Sequence, residues 1–151
     1  MSAPDPAAAR VAASFARQAI METLGASLVR VAPGEVEIAL HVTPKVLQQH
    51  GFVHAGAVAT IADSAAGFAG LTTMPAGAGV LTAEFKINLL APAAGERLVA
   101  VGRVVKAGRT LTIAQAEVFA ETTAGDASTR KLCALLTATL MGVANRDGVS
   151  D

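Results

Sequence analysis

One stretch constrains this chain more than any other. Residues 55–74 carry a single charge, Asp63, in twenty positions. Their length is that of a membrane span. Their composition is not: Ala, Gly and Thr dominate, and an Asp near the middle costs about 2.5–3.5 kcal/mol on an insertion scale. The stretch reads instead as a helix buried on most sides within a soluble fold. A 151-residue chain can surround it, since a chain of this size buries about 68–70% of its unfolded surface.

The wrapping material is legible on either side. Residues 7–24 read as one N-terminal helix from their Ala, Arg, Gln, Met and Glu content, closed by Gly25. Residues 27–31 and a Pro33-Gly34 turn follow. Val36, Ile38, Leu40 and Val42 then alternate with Glu37, Ala39 and His41, the period of a half-buried strand. Thr43 and Pro44 look like the cap and first position of a short helix over residues 44–49. After the buried helix, Leu81, Ala83, Phe85, Ile87 and Leu89 alternate with Thr82, Glu84, Lys86 and Asn88. Strands are expected at 97–107, 110–121 and 131–142, with a turn at 122–128. Strands joined by short turns pair antiparallel. One buried helix against such a sheet gives an α+β fold: a curved antiparallel sheet wrapped around a long central helix. The expected organisation is a single domain over 1–151, with its core at 25–142 and a loose tail at 143–151.

Composition removes several functions. The 52% apolar and 16% charged content excludes a disordered chain. Twelve basic residues balance twelve acidic ones, and the 3% aromatic content is all Phe. A nucleic-acid partner would call for a basic patch and stacking faces. The single cysteine, Cys133, sits in an apolar alternation and reads as a small buried hydrophobe. Residues 1–20 contain no uninterrupted apolar segment of the secretory kind, so the expected location is cytoplasmic, with no membrane partner. No His, Cys or Asp cluster has metal-ligand spacing, no G-x-S-x-G elbow is present, and no phosphate-binding glycine motif appears.

The chemistry concentrates between Gln48 and Asp63. A helix begins near Ala55, so its free N–H groups and dipole form a ready oxyanion site. Ala55 and Gly56 carry minimal side chains, which lets a ligand carbonyl approach. Asp63 is a lone carboxylate in apolar surroundings, either a structural acid with polar partners or a functional one. Gly56 and Asp63 share a helix face but lie about 10 Å apart along the axis. A nucleophile and the carbonyl it attacks must approach to about 3–3.5 Å. If both groups serve one carbonyl, Asp63 must come from a second subunit. His54 before the helix reads as a structural hydrogen-bonder, His50 as solvent-facing, and His41 as a polar-face residue.

The run His54-Ala55-Gly56, with Asp63 nine residues after His54, resembles the HGG…D signature of the PaaI-type hotdog-fold acyl-CoA thioesterases. The strand at 80–89 with its Leu90-Ala91-Pro92 step, and the Val104–Leu111 segment with its Gly-basic turn, are similar to that family too. The resemblance spans about residues 25–141. It implies a hotdog fold and hydrolysis of aryl- or medium-chain acyl-CoA thioesters. Asp63 would be the base or nucleophile, and the Ala55 and Gly56 amides would polarise the carbonyl. Gln48 stands where the family has Asn. Thr82 would orient the water, and Lys106, Gly108, Arg109 and Thr110 would meet the nucleotide of coenzyme A. The site would require a homodimer, with a homotetramer as the expected assembly. No cofactor is implied, since coenzyme A enters as part of the substrate. A non-catalytic acyl-CoA-binding protein of the same fold remains the alternative.

Overall fold

A computed structural model describes residues 5–151. Helix α1 spans Pro6–Ala16, with Asp5 accepting the Ala7 N–H at 3.0 Å and Pro at its first turn. Helix α2 spans Ala19–Leu24 and stops at Gly25, whose φ of 73° suits glycine. The continuous helix expected over 7–24 is therefore broken at Arg17–Gln18. Phase explains the break. Val11 and Met21 are both buried, yet ten residues of straight helix would turn them about 80° apart. The break lets both face inward, and it turns Gln18 towards Ser64, whose hydroxyl donates to Gln18 Oε1 at 3.2 Å.

Strands β1 (Ala26–Ala32), β2 (Glu35–His41), β3 (Gly79–Leu89), β4 (Arg97–Ala107), β5 (Leu111–Ala124) and β6 (Ala127–Val143) form one antiparallel sheet in the order β1-β2-β4-β5-β6-β3. Helix α3, Ala55–Leu71, lies between β2 and β3 in sequence and packs on the inner face of the sheet. This is the hotdog arrangement. Three expected boundaries move. The short helix at 44–49 is a single 3-10 turn, Pro44–Val46, and Thr43 makes no side-chain cap. The turn at 122–128 tightens to Gly125-Asp126, because Thr122, Thr123 and Ala124 stay paired with β6. Glycine at the first turn position, with φ 61°, suits a two-residue hairpin. Helix α3 ends before residue 74. The Thr72 and Thr73 hydroxyls donate to the Ala69 and Gly70 carbonyls at 2.6 and 2.8 Å, and Pro75 cannot continue the helix.

Small residues allow α3 to sit close to the sheet. Ala62, Ala65, Ala66 and Ala69 are fully buried against it. At Gly102 of β4 the backbones nearly touch: an added Cβ would lie 2.2 Å from the Ala65 carbonyl oxygen. Gly102→Ala is therefore expected to destabilise by about 3 kcal/mol, the upper end of overpacking costs. That corresponds to a fall of about 6–10 °C in Tm, measured by thermal denaturation.

Residues 143–151, expected to be a loose tail, fold back on the body. Asp151 pairs with Arg10, and Arg17 donates to the Ser150 carbonyl at 3.2 Å. Among the described residues, no helix is long and apolar enough to cross a membrane.

Candidate active site

Asp63 lies midway along α3, half-buried, one turn before Gly67. Its Oδ1 accepts a hydrogen bond from the Thr82 hydroxyl at 2.8 Å. A bulge in β3 makes this contact possible. Thr82 pairs with Leu140 and Glu84 with Thr139, so Ala83 is an extra residue in the strand. Strict alternation would put Thr82 on the face of Glu84 and Lys86. The bulge moves it to the inner face, beside fully buried Leu140. Burial pushes the Asp63 carboxyl above the ordinary carboxylate range, and the Thr82 hydroxyl pulls it partly back. Asp63 and Thr82 border a cleft of about 460 Å³ that follows α3 past Gly67 to Leu71.

The start of α3 is a second locus. His54 caps the helix, and its ring Nδ1 accepts the Gly56 N–H at 2.8 Å. This corrects one expectation: the Gly56 amide is engaged by its own chain and does not point a free N–H at a ligand. The Ala55 N–H makes no hydrogen bond among the described residues. It borders an apolar hollow of about 540 Å³ lined by Gln48, Phe52, Leu89, Pro92 and Cys133. Gln48 Oε1 takes the His50 N–H, which leaves the Gln48 amide nitrogen to donate. Cys133 is buried, and its thiol donates to the Val118 carbonyl at 3.3 Å. Burial raises its pKa, so it is a packing residue with little thiolate character.

The expected site residues thus fall into two groups. Asp63 and Thr82 meet in one cleft. Gln48, His54 and Ala55 meet at another. Ala55 and Asp63 are eight residues apart, about 12 Å of helix. Gly56 faces a third, smaller hollow with Leu24, Lys45 and Thr60. Lys106, Gly108, Arg109 and Thr110 are exposed at the β4–β5 connection. The Thr110 carbonyl accepts the Gly142 N–H at 3.2 Å, which ties this turn to the sheet end that bears Gly79. Neither Lys106 nor Arg109 forms an ion pair among the described residues.

Sequence reasoning missed part of the cleft. Ser14 comes from α1, Arg17 and Gln18 come from the break between α1 and α2, and residues 148–151 close one side. The composition of residues 7–24 reads as one continuous helix and carries no sign of the break that brings Gln18 to Ser64.

A family model described as "Thioesterase superfamily" matches residues 50–127, which include both the helix start and Asp63. A thioesterase family protein from Silicibacter pomeroyi superposes with a TM-score of 0.87 at 45% identity, covering 92% of this chain and 99% of that one. A variant of the phenylacetic acid degradation protein PaaI from Thermus thermophilus superposes with a TM-score of 0.69 at 29% identity, covering 82% and 98%. A Deinococcus radiodurans protein assigned provisionally to the esterases is 37% identical over 98 residues. That match spans 64% of each chain, a little under two thirds of the relative's length. The shared helix-and-sheet frame, and the family match across the segment that holds both the start of α3 and Asp63, place this chain among the PaaI-type hotdog proteins of the thioesterase superfamily.

Proposed function

We propose that the chain hydrolyses acyl-CoA thioesters as a homodimer, each site taking Asp63 from one subunit and the Ala55 amide from the other. The observation that carries this reading is the split site. A half-buried carboxylate with a hydroxyl partner lies about 12 Å along the helix from a helix-start amide that makes no hydrogen bond among the described residues. Strand β3 offers the means of joining them. Among the described residues it pairs with β6 alone, which leaves its other edge open, and Leu81, Phe85 and Leu89 are exposed. One end of β3 borders the Asp63 cleft and the other borders the Ala55 hollow. Antiparallel pairing of two β3 edges about a two-fold axis puts the first end of one chain beside the second end of the other.

In that site Asp63 takes a proton from water as the water oxygen adds to the thioester carbon. The carbonyl electrons move onto oxygen, where the partner subunit's Ala55 N–H receives the charge. The carbonyl then re-forms, the C–S bond breaks, and coenzyme A leaves as a thiolate that recovers the proton. Direct addition of the Asp63 carboxylate, followed by hydrolysis of the resulting anhydride, yields the same products. Thiols are far more acidic than alcohols, so the leaving group demands no strong acid. Lys106 and Arg109, exposed and without ion-pair partners among the described residues, suit the phosphates of coenzyme A. Leu81, Met141 and Leu111 form one exposed apolar cross-strand row on the outer face, which supports two such dimers packing into a tetramer.

Thiol release from a panel of aryl- and alkyl-CoA thioesters tests the reading. Turnover by the wild-type chain supports it. Binding of the same esters without turnover would instead make this a non-catalytic acyl-CoA-binding protein. Thr82→Val gives a finer check. Loss of the hydroxyl removes the one contact that lowers the Asp63 pKa, so the acid limb of kcat/KM should move to higher pH. An unmoved limb would mean that Thr82 does not act through Asp63.

A further inference from the structure

We propose that Gly67 and a strap formed by residues 148–151 set the length of the acyl group accepted beside Asp63; the proposal rests on the hydrolytic reading above. Glycine inside a helix is disfavoured relative to alanine. Packing requires it at Gly70, where an added Cβ would lie 2.5 Å from Leu140 Cδ1. Packing does not require it at Gly67, where an added Cβ would meet nothing within 4 Å. What a side chain at Gly67 would enter is the cleft, since Gly67 lines it one turn beyond Asp63. Asp63, Gly67 and Leu71 follow at four-residue intervals, so the floor runs about 12 Å from the carboxylate.

The far side is closed by chain that returns from the opposite end of the sequence. Arg10 pairs with Asp151, and its guanidinium donates to the Met74 and Pro75 carbonyls, each at 3.1 Å. The Asp151 side chain is only 7% exposed. Arg17 holds the Ser150 carbonyl. Val149 lies so close over Gly79 that an added Cβ would come within 2.6 Å of Val149 Cγ1. The strap is thus docked at several points. The apolar part of the lining suits the acyl arm: Phe68, Leu71, Val80 and Leu81 border the cleft beside Gly67, while Asp151 is neutralised by Arg10 and Arg17 is engaged by the strap. Lys106 and Arg109 lie outside it. A space of about 460 Å³ with a 12 Å floor fits a medium alkyl chain or a single aromatic ring.

The test is kcat/KM along a straight-chain acyl-CoA series from butyryl to dodecanoyl. It compares wild type, Gly67→Leu, Arg10→Gln and a chain lacking residues 148–151, each checked for folding by circular dichroism. Gly67→Leu should lower the octanoyl-to-butyryl ratio by about tenfold or more, the scale of one methylene in a fitted pocket. Arg10→Gln and the deletion should raise the dodecanoyl-to-butyryl ratio by a similar factor. Ratios within about twofold of wild type in the folded variants would overturn the proposal. Non-hydrolysable thioether analogues of the same series, titrated by calorimetry, keep the two readings apart. If wild type hydrolyses nothing, the hydrolytic reading falls. The analogue length profile across the variants then decides the length limit, a shifted profile supporting it and a flat one overturning it.

Discussion

Asp63→Asn is expected to lower kcat/KM for acyl-CoA hydrolysis by about 10²–10⁴-fold, the range for loss of a general base. It should also raise Tm at neutral pH. Both effects come from one placement. Burial raises the folded-state pKa of Asp63, so the folded chain holds its proton to higher pH than the unfolded chain does. Between the unfolded and folded pKa values the folded state binds more protons. The contribution of this group to stability therefore falls as pH rises through that window, and it stays low above it. Asparagine carries no charge to desolvate, and its side-chain oxygen can still accept from Thr82. The stability gain should vanish in acid, below both pKa values. The same raised pKa places the acid limb of wild-type activity above the ordinary carboxylate range, because only the ionised form takes a proton from water. Thermal denaturation across pH, beside thiol-release kinetics, checks both halves. A variant that is both less stable and fully active would mean that Asp63 is a structural acid.

Ala55→Pro is expected to lower kcat by about 10²–10³-fold, the cost of losing one oxyanion donor. Stability should change by less than about 1 kcal/mol. Proline removes the N–H and little else at this position. Ala55 is the first residue of α3, where helices tolerate proline. His54 already has φ −60° and ψ 137°, the extended geometry that a residue before proline adopts. Because the Gly56 N–H is taken by the His54 ring, no second donor stands ready to compensate. Steady-state kinetics and thermal denaturation of this one variant separate a lost donor from a damaged helix.

The sheet and the buried helix were legible because their signals are local. The alternation of β2 and the uncharged run of α3 each specify an element without reference to the rest of the chain. Asp63 stood out for the same reason, as one charge among apolar residues. Features that depend on three-dimensional neighbours were not legible. Alternation put Thr82 on the outer face, and only the bulge at Ala83 brings it to Asp63. The Gly56 amide looked free because the helix start was visible, while the inward turn of the His54 ring was not. The strap at 148–151 is polar and glycine-bearing, which reads as loose chain. Its docking depends on Arg10, 141 positions away in sequence. Long separations in sequence likewise hide the contribution of Ser14, Arg17 and Gln18 to the cleft.

The most direct measurement mixes two inactive proteins. Asp63→Asn and Ala55→Pro chains are unfolded together in equal amounts, refolded, and assayed for thiol release. If each site draws on two subunits, a mixed dimer contains one site with both lesions and one with neither. Random pairing makes about half the dimers mixed, so the mixture should recover about a quarter of wild-type activity. If Asp63 and Ala55 act within one chain, every site carries a lesion. A mixture that refolds into mixed dimers yet stays as inactive as its parents would contradict the shared site.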